Sequence, residues 1–318
     1  MKKILLFIFL IFILSSCNAL KITTCNPIYA MNTTINIKFY NVDDYNDHYN
    51  KLKEIYYKYD MLADDFKERS NVNNIYDLNN KRKIEASSDL IELINESILL
   101  KEKTNGYFNP LVGRLSHLWK EAIEDETDEK IKLITEDVIK KEIDIINSSS
   151  IKIENNNILI EGDANIDLGA IAKGYATYQC VKYLKENNIE GYLIDAGESS
   201  VSLGTKGGND FKIVLEAPYS NKIIKTLEYK NTSISTSSGK YQHKIYNNIK
   251  YHHIINPYTG YPSNIYDNVN IIYDNSFYAD CYSTALFNMN LNEAKEFILN
   301  NNLKAILYKD DKILYEEI

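Results

Sequence analysis

Three short polar turns constrain this chain more than any other feature. Apolar stretches flank Asn155-Asn156-Asn157, Asn247-Asn248 and Asp310-Asp311. Each reads as a β-hairpin, because asparagine and aspartate tolerate the left-handed backbone that a tight turn between antiparallel strands requires. Alternation in Ile35-Asn36-Ile37-Lys38-Phe39 adds a half-buried strand, and Gly191 to Asp195 adds another. Helices fall between them. Ser87-Ser88-Asp89 caps an amphipathic run through Leu90, Ile91, Ile94 and Ile98 that stops at Asn105-Gly106, and Ile171, Tyr175, Tyr178, Val181 and Leu184 mark a second. A third runs from about Asp280 to Asn288, and the charged stretch 120–142 reads as a solvated peripheral helix. The class is α+β, with mixed, mostly antiparallel sheets packed with helices.

With 318 residues, 44% of them hydrophobic, and only 5 prolines, the chain can bury a sizeable core. No linker, fixed-period repeat or second apolar span interrupts residues 26–318, so they read as a single interleaved catalytic unit. A formal net charge of -8, without a long basic run, argues against nucleic acid as a partner. An anionic substrate would need a local cation.

Lys2 and Lys3 precede an apolar run from Ile4 to Leu14, too short to span a bilayer and of the right length for a signal-peptide core. It ends Leu14-Ser15-Ser16-Cys17, which resembles a lipoprotein processing box. The expected organisation is a signal peptide at 1–16, a lipidated N-terminus and tether at 17–25, and one domain at 26–318. Cys17 would carry the lipid, anchoring the chain to the cell membrane on its extracytoplasmic side. Cys25, Cys180 and Cys281 remain, an odd number without metal-ligand spacing; Cys180 and Cys281 read as buried thiols.

Chemistry-bearing residues concentrate in three stretches. In Asp167-Leu168-Gly169-Ala170-Ile171-Ala172-Lys173-Gly174, a strand gives way through glycine to a helix N-terminus, a place where backbone N–H groups receive phosphates. A capped helix with a surface lysine is the alternative there, since the phosphate-loop glycine pattern is not met. Asp280 and Thr284 stand at i and i+4, on one helix face, and both are hard oxygen donors; magnesium takes few protein ligands, although Asp280 could equally cap its helix. His253 precedes Asn256-Pro257-Tyr258-Thr259-Gly260, and an imidazole in that place either accepts a proton or braces the turn.

Taken together, Asp167 to Ala176, His253 to Pro262 and Ala279 to Ala285 resemble the D-L-G-G-I-A-K-G-Y-A, H-I-I-D-P-x-T-G-x-P and A-D-x-x-x-T-A blocks of the FAD:protein FMN transferase family, the ApbE-type flavin transferases. Thr104 to Pro110 and Leu118-Trp119 extend the likeness upstream. The resemblance implies an ApbE-type fold and an enzyme that moves FMN from FAD onto a threonine of an acceptor protein, a membrane redox subunit, with release of AMP. It implies that Met31, Tyr107, Phe108, Asn109, Asp167 and Lys173 contact FAD, and that the Ala170 carbonyl, Asp280 and Thr284 hold Mg2+. His253 would be the general base. Four positions depart from the family's pattern: Asn109, Asn256, Lys240 and Glu198. Two other readings use the same residues, an FAD pyrophosphatase that gives free FMN and AMP, and an exported flavin-binding lipoprotein without turnover.

Overall fold

The structure is a computed structural model that describes residues 19–197, 199–220 and 222–318. The signal segment, Cys17 and Glu198 lie outside the described residues. The chain opens with β1 (Ile22–Thr24), β2 (Ile28–Ala30), β3 (Thr33–Tyr40), α1 (Tyr45–Leu62), α2 (Ile75–Lys81), β4 (Lys83–Glu85) and α3 (Ser88–Lys103). There follow α4 (Gly113–Glu124), α5 (Glu129–Lys132), α6 (Glu136–Ser148), β5 (Ser150–Glu154), β6 (Asn157–Glu161), α7 (Ala172–Glu186), β7 (Tyr192–Ala196) and β8 (Ser200–Leu203). The last part comprises β9 (Phe211–Glu216), β10 (Ile223–Tyr229), β11 (Thr232–Ser237), β12 (His243–Tyr246), β13 (Ile249–His252), β14 (Asn268–Tyr273), α8 (Ser276–Asn288), α9 (Leu291–Asn300), β15 (Lys304–Lys309) and β16 (Lys312–Glu317).

A large antiparallel sheet in the order β1-β3-β7-β8-β11-β14-β15-β16, with β2 also on β3, organises the molecule. The three expected hairpins are present as β5–β6, β12–β13 and β15–β16. Asn247, Asn248, Asp310 and Asp311 all have positive φ, the conformation a two-residue hairpin turn demands.

The two faces of this sheet bury different things. Ile234, Ile272 and Ile306 point to one side and form a small core with Leu215 and Leu227 of the separate β9–β10 ribbon. The other side receives α7 and α8. Strand alternation puts Ser233, Ser235 and Ser237 of β11 and Ser200 and Ser202 of β8 on that helix side. A buried polar row under a helix is costly unless its hydroxyls find partners. Ser202 pairs with Ser233 at 2.7 Å, Ser237 with Ser283 at 2.9 Å, and Ser235 with Asp280 at 2.6 Å.

Helices α7 and α8 pack so closely that a Cβ on Gly174 would lie 2.6 Å from both Ser276 O and Asp280 Cβ. Only glycine fits there, and this contact brings the start of α7 against the carboxylate of α8. Trp119 of α4, fully buried, donates from Nε1 to Gly260 O at 2.7 Å and stacks on Tyr251 at 5.2 Å, fixing the turn after β13.

Two expectations need correction. The stretch 120–142 is not one helix: α4 ends at Glu124, Asp128 takes a left-handed backbone, and α5 and α6 follow. Thr135 caps α6 by accepting from Val138 N. The helix carrying Asp280 starts earlier than expected, at Ser276, with Asn275 as its cap. Cys180 and Cys281 are buried free thiols as expected. Among the described residues, no helix is long and apolar enough to cross a membrane.

Candidate active site

Because Asn275 caps α8, Asp280 sits inside the helix and its carboxylate is free for another purpose. It is 6% exposed. Oδ1 accepts from Ser235 Oγ at 2.6 Å, and Oδ2 accepts from the Gly174 backbone N–H at 2.8 Å. Burial raises its pKa, while the nearby Lys173 ammonium, Ser235 and the Gly174 N–H pull it down. Among the described residues Asp280 has no direct salt-bridge partner, and a buried carboxylate favours a nearby cation.

One turn further along α8, Thr284 lies within 3.3 Å of Ser237 Oγ. The two side chains thus occupy one face, aligned with successive helix-facing serines of β11. The Asp280 carboxylate and the Thr284 hydroxyl are both hard oxygen donors, and Ala170 lies in the turn just before α7. Among the described residues no group of three or more His, Cys, Asp or Glu side chains converges as a metal site.

The loop before α7 is tied to the Tyr107–Pro110 segment, since Asp167 N donates to Pro110 O at 2.9 Å. Asp167 Oδ1 then accepts from Gly169 N at 2.6 Å, which shapes the turn into the helix. His253 follows the last residue of β13 and is exposed to solvent, whereas its neighbour His252 is buried and bonded to Ser263 O at 2.6 Å. Dense surrounding protein, with the Lys173 ammonium as a second cause, pushes the His253 pKa down to about 4. The ring is therefore neutral at physiological pH and lies within electrostatic reach of Lys173.

Asn288, at the end of α8, joins the remaining segments. Its Nδ2 donates to Ile255 O at 3.1 Å and to Tyr107 O at 3.4 Å, while its own carbonyl accepts from Asn256 Nδ2 at 3.0 Å. Tyr107 and Tyr258 meet edge to face at 5.1 Å. The Phe108 ring is buried in the core, and Asn109 uses Oδ1 to accept from Leu111 N. Met31 lies in the β2–β3 turn with φ 54°, its N–H donated to Asp60.

This geometry accounts for one departure from the family pattern. Asn256 Oδ1 accepts from Tyr258 N and Thr259 N, and its Nδ2 donates to the Asn288 carbonyl. An aspartate would keep the first pair and set a carboxylate against a carbonyl. Asn256→Asp is expected to destabilise the fold by about 1–3 kcal/mol, the cost of a buried polar group left unsatisfied. Thermal denaturation of the two proteins checks this, and an unchanged midpoint would contradict it.

Sequence reasoning missed Ser235 and Ser237, which hold the two α8 donors from the sheet. It also missed the Asp65–His117 pair, joined at 2.6 Å and stacked under Phe66 at 4.6 Å, whose charges act together with that of Asp167. The pairing with Asp65 raises the His117 pKa.

The fold and site define an α+β protein that buries a carboxylate of α8 against the N-terminus of α7. The chain belongs to the ApbE family, whose model matches residues 31–307. Residues 1–18 match a prokaryotic membrane lipoprotein lipid attachment site. An FAD:protein FMN transferase of Treponema pallidum is 27% identical over 215 residues, 62% of this chain and 59% of that one. One from Buchnera aphidicola subsp. Baizongia pistaciae is 26% identical over 299 residues, covering 89% and 85%. The ApbE protein of Thermotoga maritima superposes with a TM-score of 0.78 at 22% identity, covering 90% of this chain and 94% of that one. The flavin transferase ApbE of Vibrio cholerae gives 0.77 at 22%, covering 94% and 97%. These structures share the α+β fold described above.

Proposed function

We propose that this protein transfers FMN from FAD to a threonine hydroxyl of an acceptor protein and releases AMP. The observation that carries the reading is the buried Asp280 carboxylate, held by Ser235 and by the first turn of α7 in a chain whose curated relatives are named FAD:protein FMN transferases. Asp280, Thr284 and the Ala170 carbonyl would hold Mg2+. When bound, the ion would neutralise charge on the FAD pyrophosphate. Lys173 adds a positive charge beside it, and Asp167, Met31, Asn109, Tyr107 and the Phe108 backbone would position the nucleotide. His253, neutral and exposed, takes the proton from the attacking threonine hydroxyl. That hydroxyl attacks the phosphorus on the riboflavin side, the pyrophosphate bond breaks, and AMP departs.

We assign residues 1–16 to a removed signal, residues 17–25 to a tether lipidated at Cys17, and residues 26–318 to the transferase domain. The protein would work on the outer side of the cell membrane, on a membrane redox subunit. Incubation with FAD, magnesium and a threonine-bearing acceptor tests the reaction. The expected result is an acceptor heavier by one FMN, AMP in solution, and little free FMN. Free FMN and AMP without labelling would support a pyrophosphatase, and intact bound FAD would support a binding protein.

A further inference from the structure

Leu20 and Lys21, near the start of the described residues, and the candidate site lie toward opposite ends of the large sheet. Strand register fixes the two ends. Ile35, Ala196, Ser200 and Ser235 align in one row, and Ser235 binds Asp280. At the other end Ile22 pairs with Tyr40, Tyr40 N donates to Gly191 O, and Gly204 N donates to Tyr192 O.

The N-terminal segment is fastened at that second end. Lys21 N donates to Asn41 Oδ1, Lys21 Nζ binds Asp43 at 2.7 Å, and a Cβ on Gly207 would lie 2.5 Å from Leu20 Cδ1. Cys17 stands three residues before Leu20, so it can reach at most about 11 Å from it. From Tyr40 to Ile35 along β3 is five residue steps, about 17 Å. A tether this short keeps the fastened end within about 11 Å of the lipid, and the Asp280 site, about 17 Å further along the strands, is the more distant of the two.

We propose that the protein stands on the bilayer by the end of the sheet formed by Leu20, Lys21, Asn41 and the Lys206–Gly208 turn, with the Asp280 site facing away from the membrane. The occupant of this end is a lipid surface, held there by the lipid on Cys17. Of the cations at this end, Lys21 and Lys230 are paired with Asp43 and Asp210. On the transfer reading, the acceptor hydroxyl must then be carried on a part that rises about 17 Å or more above the headgroups.

The orientation is tested with the full chain, produced with its own signal, purified from membranes and reconstituted into phosphatidylcholine vesicles carrying a headgroup nitroxide. In a Cys25→Ser background, a fluorophore is attached through Lys206→Cys at the anchored end. A second sample carries it through Tyr29→Cys, 72% exposed and opposite Thr34 at the other end. The Lys206 probe is expected to lose most of its emission and the Tyr29 probe to keep it. Equal quenching, or stronger quenching at position 29, overturns the proposal. Flotation of wild type beside Cys17→Ser runs in parallel. If wild type does not float, the anchor fails and the orientation with it, while transfer to a soluble acceptor, assayed separately, still reports on the reaction.

Discussion

Asp280→Asn is expected to lower magnesium-dependent turnover of FAD by at least ~10²–10³-fold, the scale on which one preorganised electrostatic stabiliser acts. The substitution keeps the shape of the side chain. Its amide oxygen can still accept from the Gly174 N–H, and Ser235 can turn its hydroxyl to accept from the amide nitrogen. The fold should therefore survive, and the metal-free variant should be at least as stable as wild type, because the buried charge that desolvation penalises is gone. Metal binding gives a second readout, independent of activity. At roughly a hundred times its Kd, magnesium should stabilise the wild type by about 2.7 kcal/mol, and the variant should gain little. Equal magnesium-induced shifts in Tm, or turnover retained at limiting magnesium, would remove Asp280 from the metal site.

Where the sequence was legible, local chemistry alone specified the structure. Asn247-Asn248 and Asp310-Asp311 tolerate positive φ, and both are hairpin turns. Ser87 was readable as a cap, and its side chain accepts from Leu90 N. Asp280 and Thr284 were visible as an i, i+4 pair. The start of α8 was missed even though its cap, Asn275, stands in a polar Asp274-Asn275-Ser276 run between β14 and Phe277, because the expected helix began at the motif residue Asp280. Between Glu124 and Glu136, dense charge masked the breaks that separate α4, α5 and α6.

The support around the site was less legible still. Nothing local in Ser233-Ile234-Ser235-Thr236-Ser237 tells which hydroxyls meet a carboxylate and which residues meet the β9–β10 ribbon. That distinction arises only when α8 settles on the sheet, which in turn needs Gly174 to admit it. Asp65 and His117 are 52 residues apart, and only packing of α4 against the segment after α1 joins them. Motif positions could be read from the chain; the residues that aim them could not.

His253→Ala is expected to slow transfer to threonine by ~10²–10⁴-fold, the usual contribution of a general base, with little change in FAD affinity. The ring is not part of the core, so its loss should leave the fold intact, unlike loss of the buried His252. A base must be unprotonated to act. Crowding and the Lys173 ammonium both disfavour the imidazolium, and the shift runs from the ordinary 6.5 down to about 4. The sign follows: on lowering pH, His253 stays neutral below the value at which a free imidazole would take up its proton. The acid limb of kcat/KM, which reports groups on the free enzyme, should therefore fall below pH 6.5 rather than at or above it. Lys173→Met removes the ammonium and should move that limb upward, even though it also weakens FAD binding. An acid limb at or above the ordinary imidazole value in wild type, or equal losses of affinity and rate in His253→Ala, would make His253 a brace for the turn rather than the base.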